Sequence, residues 1–175
     1  MWYVIQVFTG KEEQIVLQCR KRIRDPKILN RCFVPRYVQK RRYEGAWHTE
    51  EKLLFPGYVF LVSDNGEELF LSLKKIDGLT KMIGTGQEIV PLSREEVGIL
   101  QRLGGEEQLV ETSTGIMVSD QIIVTDGPLQ GMEGCIKKID RHKRLAWIEV
   151  LLMGRIMEAK VGLEVVEKRW GRGKI

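Results

Sequence analysis

The side chains with most chemistry to offer in this sequence are cations. From Lys137 to Arg144 the chain reads KKIDRHKR, which places Lys137, Lys138, Arg141, His142, Lys143 and Arg144 within eight positions. A solvated turn needs one or two charges. A cluster this dense suits a phosphate backbone, because several cations neutralising successive phosphates release their counterions together. Further clusters are RKRIRDPK at 20–27, RYVQKRR at 36–42 and KRWGRGK at 168–174, the last contributing Arg169. Acidic stretches such as EELF and EEQLVE lie between them, so the formal net charge is only +4. Clustered Lys and Arg raise the expectation of a polyanionic partner. Trp147 and Trp170 are candidates for stacking on a base, although Trp147, inside LAWIEV, also reads as core.

Other chemistries are poorly supplied. The two histidines, His48 and His142, fall in polar turns with no Ser or Cys nucleophile beside them. Glu50 and Glu51 follow His48 at a spacing that fits no usual metal-ligand set. There is no P-loop and no GxGxxG. The three cysteines, Cys19, Cys32 and Cys135, are odd in number and form no CxxC, so neither a zinc knuckle nor a disulfide framework is encoded. Reduced thiols suit a cytoplasmic protein. No apolar run approaches the roughly 18 residues of a membrane span. The opening MWYVIQVFTGKEEQ has neither a basic leader nor a cleavage site. The expectation is a cytoplasmic, monomeric binding protein: no enzyme, no metal, no cofactor, no membrane partner.

The elements that must position the cations follow from periodicity. WYVIQVF at 2–8 is a buried strand. Ile15, Cys19 and Ile23 then recur every fourth residue, with Glu12 and Glu13 early and basic residues late, as a helix dipole favours; Pro26 stops that helix. CFVPRYV at 32–38 is strand-like, and residues 39–54 read as a polar hairpin turning near Glu44-Gly45. YVFLV at 58–62 is a strand. Asp64 or Asn65 caps a second helix lined by Leu69, Leu73 and Ile76 and ended by Gly78. After TKMI, a strand at 80–83, Ser93 and Glu96 form a capping box for a third helix that stops at Gly104. The order β-α-β-β-α-β is the ferredoxin-like pattern with a hairpin inserted and a helix appended.

Residues 104–116, GGEEQLVETSTGI, show little periodicity and read as a linker. Beyond it QIIVTDG, GCIKKID, LAWIEVLL, RIMEAKV and LEVVEK are short strands at about ten-residue spacing, which suggests a small five-stranded barrel. In DGPLQG, Gly127 is free to take a positive φ, while Gly131 and Gly134 permit a sharp return and a close backbone approach.

VTDGPLQGMEGCIKKID resembles the KOW motif, and WYVIQVFTGKEEQ with FPGYVFLV resembles the amino-terminal domain of the NusG family of transcription elongation factors. Within that family the chain looks most like the specialised LoaP-type antitermination paralogues. The resemblance implies an α+β protein: a ferredoxin-like NGN domain over 1–104, a linker over 105–116, and an SH3-like five-stranded KOW barrel over 117–175. It implies binding to the clamp helices of bacterial RNA polymerase through an apolar patch of Phe55, Tyr58, Phe60, Met82 and Ile83, with Phe55 an exposed anchor. The charge of the basic 36–42 stretch and its hairpin would place them near upstream or non-template DNA. Housekeeping members carry an aromatic residue before the Gly-Arg that reads LLMGRIM here; Met153 stands in its place, ahead of Gly154-Arg155. Met153 and Arg155 are the positions implied for a protein partner, and the departure shifts the expected ligand of this domain to nascent RNA, a leader hairpin held by Lys137, Lys138, Arg141, His142, Lys143, Arg144 and Arg169. The alternatives are a housekeeping elongation factor and, from another class, a ribosomal-type structural RNA-binding protein. A carboxy-terminal domain hidden as a helical hairpin, as one relative class has, is opposed by GPLQGMEG and the β-branched strands.

Overall fold

The computed structural model describes residues 1–77, 79–82, 89 and 91–170, with 79–82 described by backbone alone. Its contacts divide the chain into two compact units, Met1–Pro35 with Phe55–Gly98 and Arg36–Leu54 with Ile99–Ile175. Among the described residues there are three α-helices. None of them is long and apolar enough to cross a membrane.

In the first unit β1 (Trp2–Val7) alternates, so Tyr3, Ile5 and Val7 share one sheet face. Helices α1 (Glu12–Arg22) and α2 (Gly66–Leu73) add Ile15, Val16, Cys19, Leu69 and Leu73 to the same buried cluster. With β2 (Arg31–Phe33), β5 (Tyr58–Val62) and β6 (Leu79–Met82) the sheet order is β2-β5-β1-β6, antiparallel throughout. This is the ferredoxin-like arrangement, with α1 joining β1 to β2 and α2 joining β5 to β6. Asn65, rather than Asp64, caps α2 by accepting from the Glu68 N–H at 3.2 Å. The capping box of α3 (Arg94–Gly104) is complete: Ser93 Oγ accepts from the Glu96 N–H at 3.1 Å, and Glu96 Oε1 from the Ser93 N–H at 3.0 Å. Gly78, expected to end α2, lies outside the described residues.

Glu12 does more than complement the α1 dipole. It is buried, and its carboxylate accepts the Gly10 N–H at 2.9 Å and the Gly57 N–H at 2.8 Å. One side chain thus ties the start of α1 to the Pro56-Gly57 turn, where Gly57 has φ +87°. On the α1 side of the sheet, Cys19 and Cys32 are both buried free thiols. Hydrogen bonding to Cys19, then burial, pushes the Cys32 thiol up.

The second unit holds the inserted hairpin, β3 (Arg36–Tyr43) and β4 (Ala46–Leu53). Its turn is Glu44-Gly45, with φ 52° and 76°, the two positive values that a tight type I′ connection needs. The linker expected at 105–116 is instead structured. Its Gln108 is buried and accepts the Arg36 N–H at 2.9 Å through its backbone oxygen. β7 (Leu109–Val110) pairs parallel with Arg36 and Tyr37, and β8 (Ser113–Val118) begins at once. Two-residue strands leave no periodicity to read, which is why the stretch resembled a linker.

β8, β9 (Gln121–Asp126), β10 (Ile136–Asp140), β11 (Leu145–Leu152) and β12 (Arg155–Arg169) form a five-stranded sheet in the order β10-β11-β12-β8-β9. The β8–β12 pair is parallel and the others antiparallel. RIMEAKV and LEVVEK, expected as two strands, are one, and β8 supplies the fifth. Gly127 has φ +99°, and a Cβ there would stand 2.6 Å from Ser113 Cα. Gly134, by contrast, sits in a short 3-10 turn with open space around it, so no close approach explains it. Gly162 of β12 is where β3 crosses: a Cβ there would lie 2.6 Å from the Val38 carbonyl oxygen and 2.8 Å from Thr112 Oγ1. The β10–β11 turn is held by Asp140, whose Oδ1 accepts the Lys143 N–H at 2.9 Å, and Arg144 closes it at φ 54°.

Two outcomes are expected. Glu12→Ala strands two backbone donors and should lower stability by about 1–3 kcal/mol, read by urea unfolding, with Glu12→Gln recovering part of it. The Lys143 backbone N–H, with the Lys143 and His142 charges behind it, holds the Asp140 carboxyl below its ordinary range. A depressed folded pKa gives stability that is present above the unfolded value and lost as pH falls through the folded one. An NMR titration should therefore find Asp140 ionising below exposed aspartates, and Asp140→Ala should weaken the acid-side loss of stability. An unchanged acid limb would show the turn is not held this way.

Candidate nucleic-acid interface

Three neighbouring strands set the base of the site. In register, Lys138 of β10 faces Trp147 of β11, and Trp147 faces Lys160 of β12. Facing partners share one sheet face, so the indole lies in a row of cations. The Lys138 ammonium is 4.7 Å from the Trp147 ring centroid and that of Lys160 is 5.9 Å. Trp147, read as either core or stacking residue, is half-buried and lines a cleft.

That cleft has a volume of 490 Å³. Its cations come from three segments: Lys40, Arg41, Arg42 and Lys52 from the hairpin, Lys143 from the β10–β11 turn and Lys160 from β12. No carboxylate is among its described lining residues. His142 lines it too, and also lines an adjoining 350 Å³ recess with Arg141 and Arg144. Trp47 on β4 is 41% exposed, and the Arg144 guanidinium sits 3.7 Å from its ring centroid. Glu164 of β12 holds two of these cations, with Lys40 Nζ at 3.4 Å and Arg144 Nη1 at 3.6 Å. Such a surface can take phosphates along the cations and unstacked bases on the indoles.

The residues expected to bind RNA are thus brought together only in part. His142 and Lys143 line the cleft, Arg141 and Arg144 the adjoining recess, and Lys138 lies over the Trp147 ring. Lys137 is exposed at a register shift in β10 and lines neither recess. Arg169 stands seven residues along β12 from Gly162, the partner of Leu145, about 23 Å away at strand spacing. It is engaged bidentately by Glu167 at 2.7 and 2.9 Å, and Lys168, not a base, covers the exposed Trp170 ring at 4.9 Å. Trp47 and Lys160 line the cleft without having stood out in the sequence, and Lys40 joins it from the 36–42 stretch. The hairpin's charge was visible in RYVQKRR, but its approach to β12 depends on Gly162, which no local pattern reveals.

The KOW-like turn before β10 is a support. Leu129 is fully buried and its N–H bonds Ser113 Oγ at 3.0 Å. Glu133 accepts the Val124 N–H at 3.1 Å; its own backbone N–H foremost, then those of Val124 and Gly131 and the Arg102 charge, hold its carboxyl below the usual range. At the far end of the β11–β12 hairpin, Met153-Gly154 form a turn at φ 57° and 71°. Met153 is half-buried and Arg155 exposed, beside the cross-strand pair Leu151 and Ile156, which are 58% and 70% exposed.

In the first unit, the expected exposure of Phe55 is not found. Phe55 is 3% exposed and Phe60 fully buried. The Pro56-Gly57 turn folds back, with the Tyr58 N–H on the Phe55 carbonyl at 3.3 Å, and sets the Phe55 ring 6.1 Å from Phe60. Phe60 in turn stacks on Phe33 at 5.8 Å. Tyr58 is half-buried. Met82 ends β6, and Ile83 lies outside the described residues. His48 stacks on Tyr43 at 3.6 Å and its Nε2 lies 3.2 Å from the Tyr43 carbonyl oxygen. Among the described residues no group of three or more His, Cys, Asp or Glu is placed to hold a metal.

The sequence profile described as Transcription termination factor nusG matches residues 1–101. The transcription termination/antitermination protein NusG of Thermus thermophilus is 27% identical over 179 residues, covering 95% of this chain and 97% of the relative. That of Haemophilus influenzae is 26% identical over 172 residues, covering 95% and 93%. A solved structure titled "Domain interaction in Thermotoga maritima NusG" superposes with a TM-score of 0.56 at 24% identity, over 94% of this chain and 93% of that one, a likeness of fold. The profile covers more than half of the 175 residues, and the chain belongs to the NusG family of transcription termination and antitermination factors.

Proposed function

We propose that the chain is an RNA-directed processive antitermination factor of the specialised, LoaP-like kind. It rides on bacterial RNA polymerase through its amino-terminal unit and holds a structured nascent RNA at the basic end of its carboxy-terminal sheet, read as a KOW barrel. The observation that carries the RNA half is the convergence of the β10–β11 cations with Trp147 and Trp47 around one cleft. Family membership supports the polymerase half, and with it a non-enzymatic, cytoplasmic role. The clamp-helix surface proposed for Phe55, Tyr58, Phe60, Met82 and Ile83 has Tyr58 as its half-buried, accessible member, with Phe55 and Phe60 as packing behind it. A match to the family over 1–101 favours this reading over a ribosomal-type structural protein.

A second reading keeps the family and changes the ligand. The exposed Leu151–Ile156 pair beside Met153 and Arg155 offers a protein partner an apolar foothold. On that reading the chain is a housekeeping elongation factor.

Single-round transcription with purified bacterial polymerase separates the two. On a terminator template preceded by the structured leader of the adjoining operon, read-through should rise; without the leader it should not. Equal change on both templates would favour the housekeeping reading. Tyr58→Ala should abolish the polymerase effect and leave RNA binding intact. Lys138→Ala with Arg141→Ala should weaken leader binding and flatten its salt dependence by about one slope unit per lost phosphate contact; an unchanged slope would remove the turn from the interface.

A further inference from the structure

The hairpin cations and the turn cations lie far apart in sequence and were assigned to different nucleic acids, DNA for 36–42 and RNA for 137–144. Their geometry points elsewhere. Lys40, Arg41 and Arg42 of the hairpin and His142 and Lys143 of the turn line the same 490 Å³ cleft. Arg144 of the turn stacks on Trp47 of the hairpin, and Glu164 bridges Lys40 of the hairpin to Arg144 of the turn. The β3 backbone is seated on β12 at Gly162, within the same compact unit.

We infer that the β3–β4 hairpin is half of the RNA site: one unpaired RNA segment runs through the cleft, its phosphates on Arg41, Arg42 and Lys143 and its bases against Trp47 and Trp147. The inference rests on the RNA reading proposed above and deepens it. The chemistry is that of single-strand binding, in which a positive groove follows the backbone and aromatic rings take bases. The two indoles come from different elements, Trp47 from β4 and Trp147 from β11, and both line the cleft. A rigid duplex offers its bases to neither indole, whereas a hairpin loop or flanking single strand offers them to both. Trp47 is also partly open while Arg144 occupies the approach to its ring, a cation-and-ring pair on which a base can stack.

The test uses the full chain and two labelled probes of the same sequence, an RNA and a DNA oligonucleotide of about 12 nucleotides, within the usual single-strand site sizes. Arg41→Ala with Arg42→Ala, both exposed, should weaken RNA binding about tenfold or more and lower the salt slope by about 1.4, roughly 0.7 for each lost single-strand phosphate contact. Trp47→Ala should weaken RNA binding without changing the slope, and Trp47→Phe should restore most of it. Unchanged melting temperatures exclude misfolding as the cause. Loss of RNA binding in Lys138→Ala with Arg141→Ala, but none in the hairpin variants, overturns the shared site and leaves the RNA reading standing. Hairpin variants that lose DNA binding alone also overturn it. A wild-type chain that binds neither this RNA nor the leader overturns both.

Discussion

The second unit depends on one absent side chain. Gly162 lets the Val38 carbonyl approach β12 to a distance no Cβ would tolerate. That contact lays β3 on the five-stranded sheet, and the Gln108 and β7 hydrogen bonds fix its first residues. The hairpin is inserted between two strands of the ferredoxin-like sheet, yet its contacts are with a sheet whose strands lie 60 or more residues further on, about a third of the chain. Everything that makes the cleft two-walled follows from this: the Arg144–Trp47 stack, the Lys40–Glu164 pair and the meeting of two basic segments.

The β11–β12 hairpin separates two kinds of surface. One end carries the basic turn and the cleft; the other, about 23 Å off at strand spacing, carries Met153-Gly154 and the exposed Leu151–Ile156 pair. Charge at one end and apolar surface at the other make the sheet a spacer as much as a core. The turn at the apolar end holds Met153 at positive φ, a backbone setting that is strained for a residue with a side chain.

Much of this was readable without coordinates, and the reasons are local. The capping box at Ser93 and Glu96, the Asn65 cap and the Glu44-Gly45 turn are each satisfied within a few residues, so their patterns survive in sequence. The ferredoxin-like order followed from a change of period. What was missed required distant partners. Glu12 looked like an ordinary helix-start charge because Gly57 is 45 residues away. The linker concealed β7 and β8 because their pairing partners are β3 and β12. Phe55 looked exposed because the Pro56-Gly57 turn interrupts the strand pattern, while its ring turns inward to Phe60. In the basic set, Arg169 shared only a charge with its supposed companions and none of their position.

Glu164, in the adjoining recess, gives the cation cluster a built-in competitor. It sits between Lys40 and Arg144 and pairs with both. A mobile counterion driven off by an arriving polyanion gains the freedom of bulk solution; a carboxylate fixed to β12 gains almost none. A phosphate must therefore win those two cations by geometry and enthalpy rather than by dilution. Contacts at Lys40 and Arg144 would add less to salt sensitivity than contacts at Arg41 or Lys143. On the proposed RNA reading, a weakly held, ill-fitting anion would be turned away there, and a single tethered charge would act as a threshold on what the groove retains.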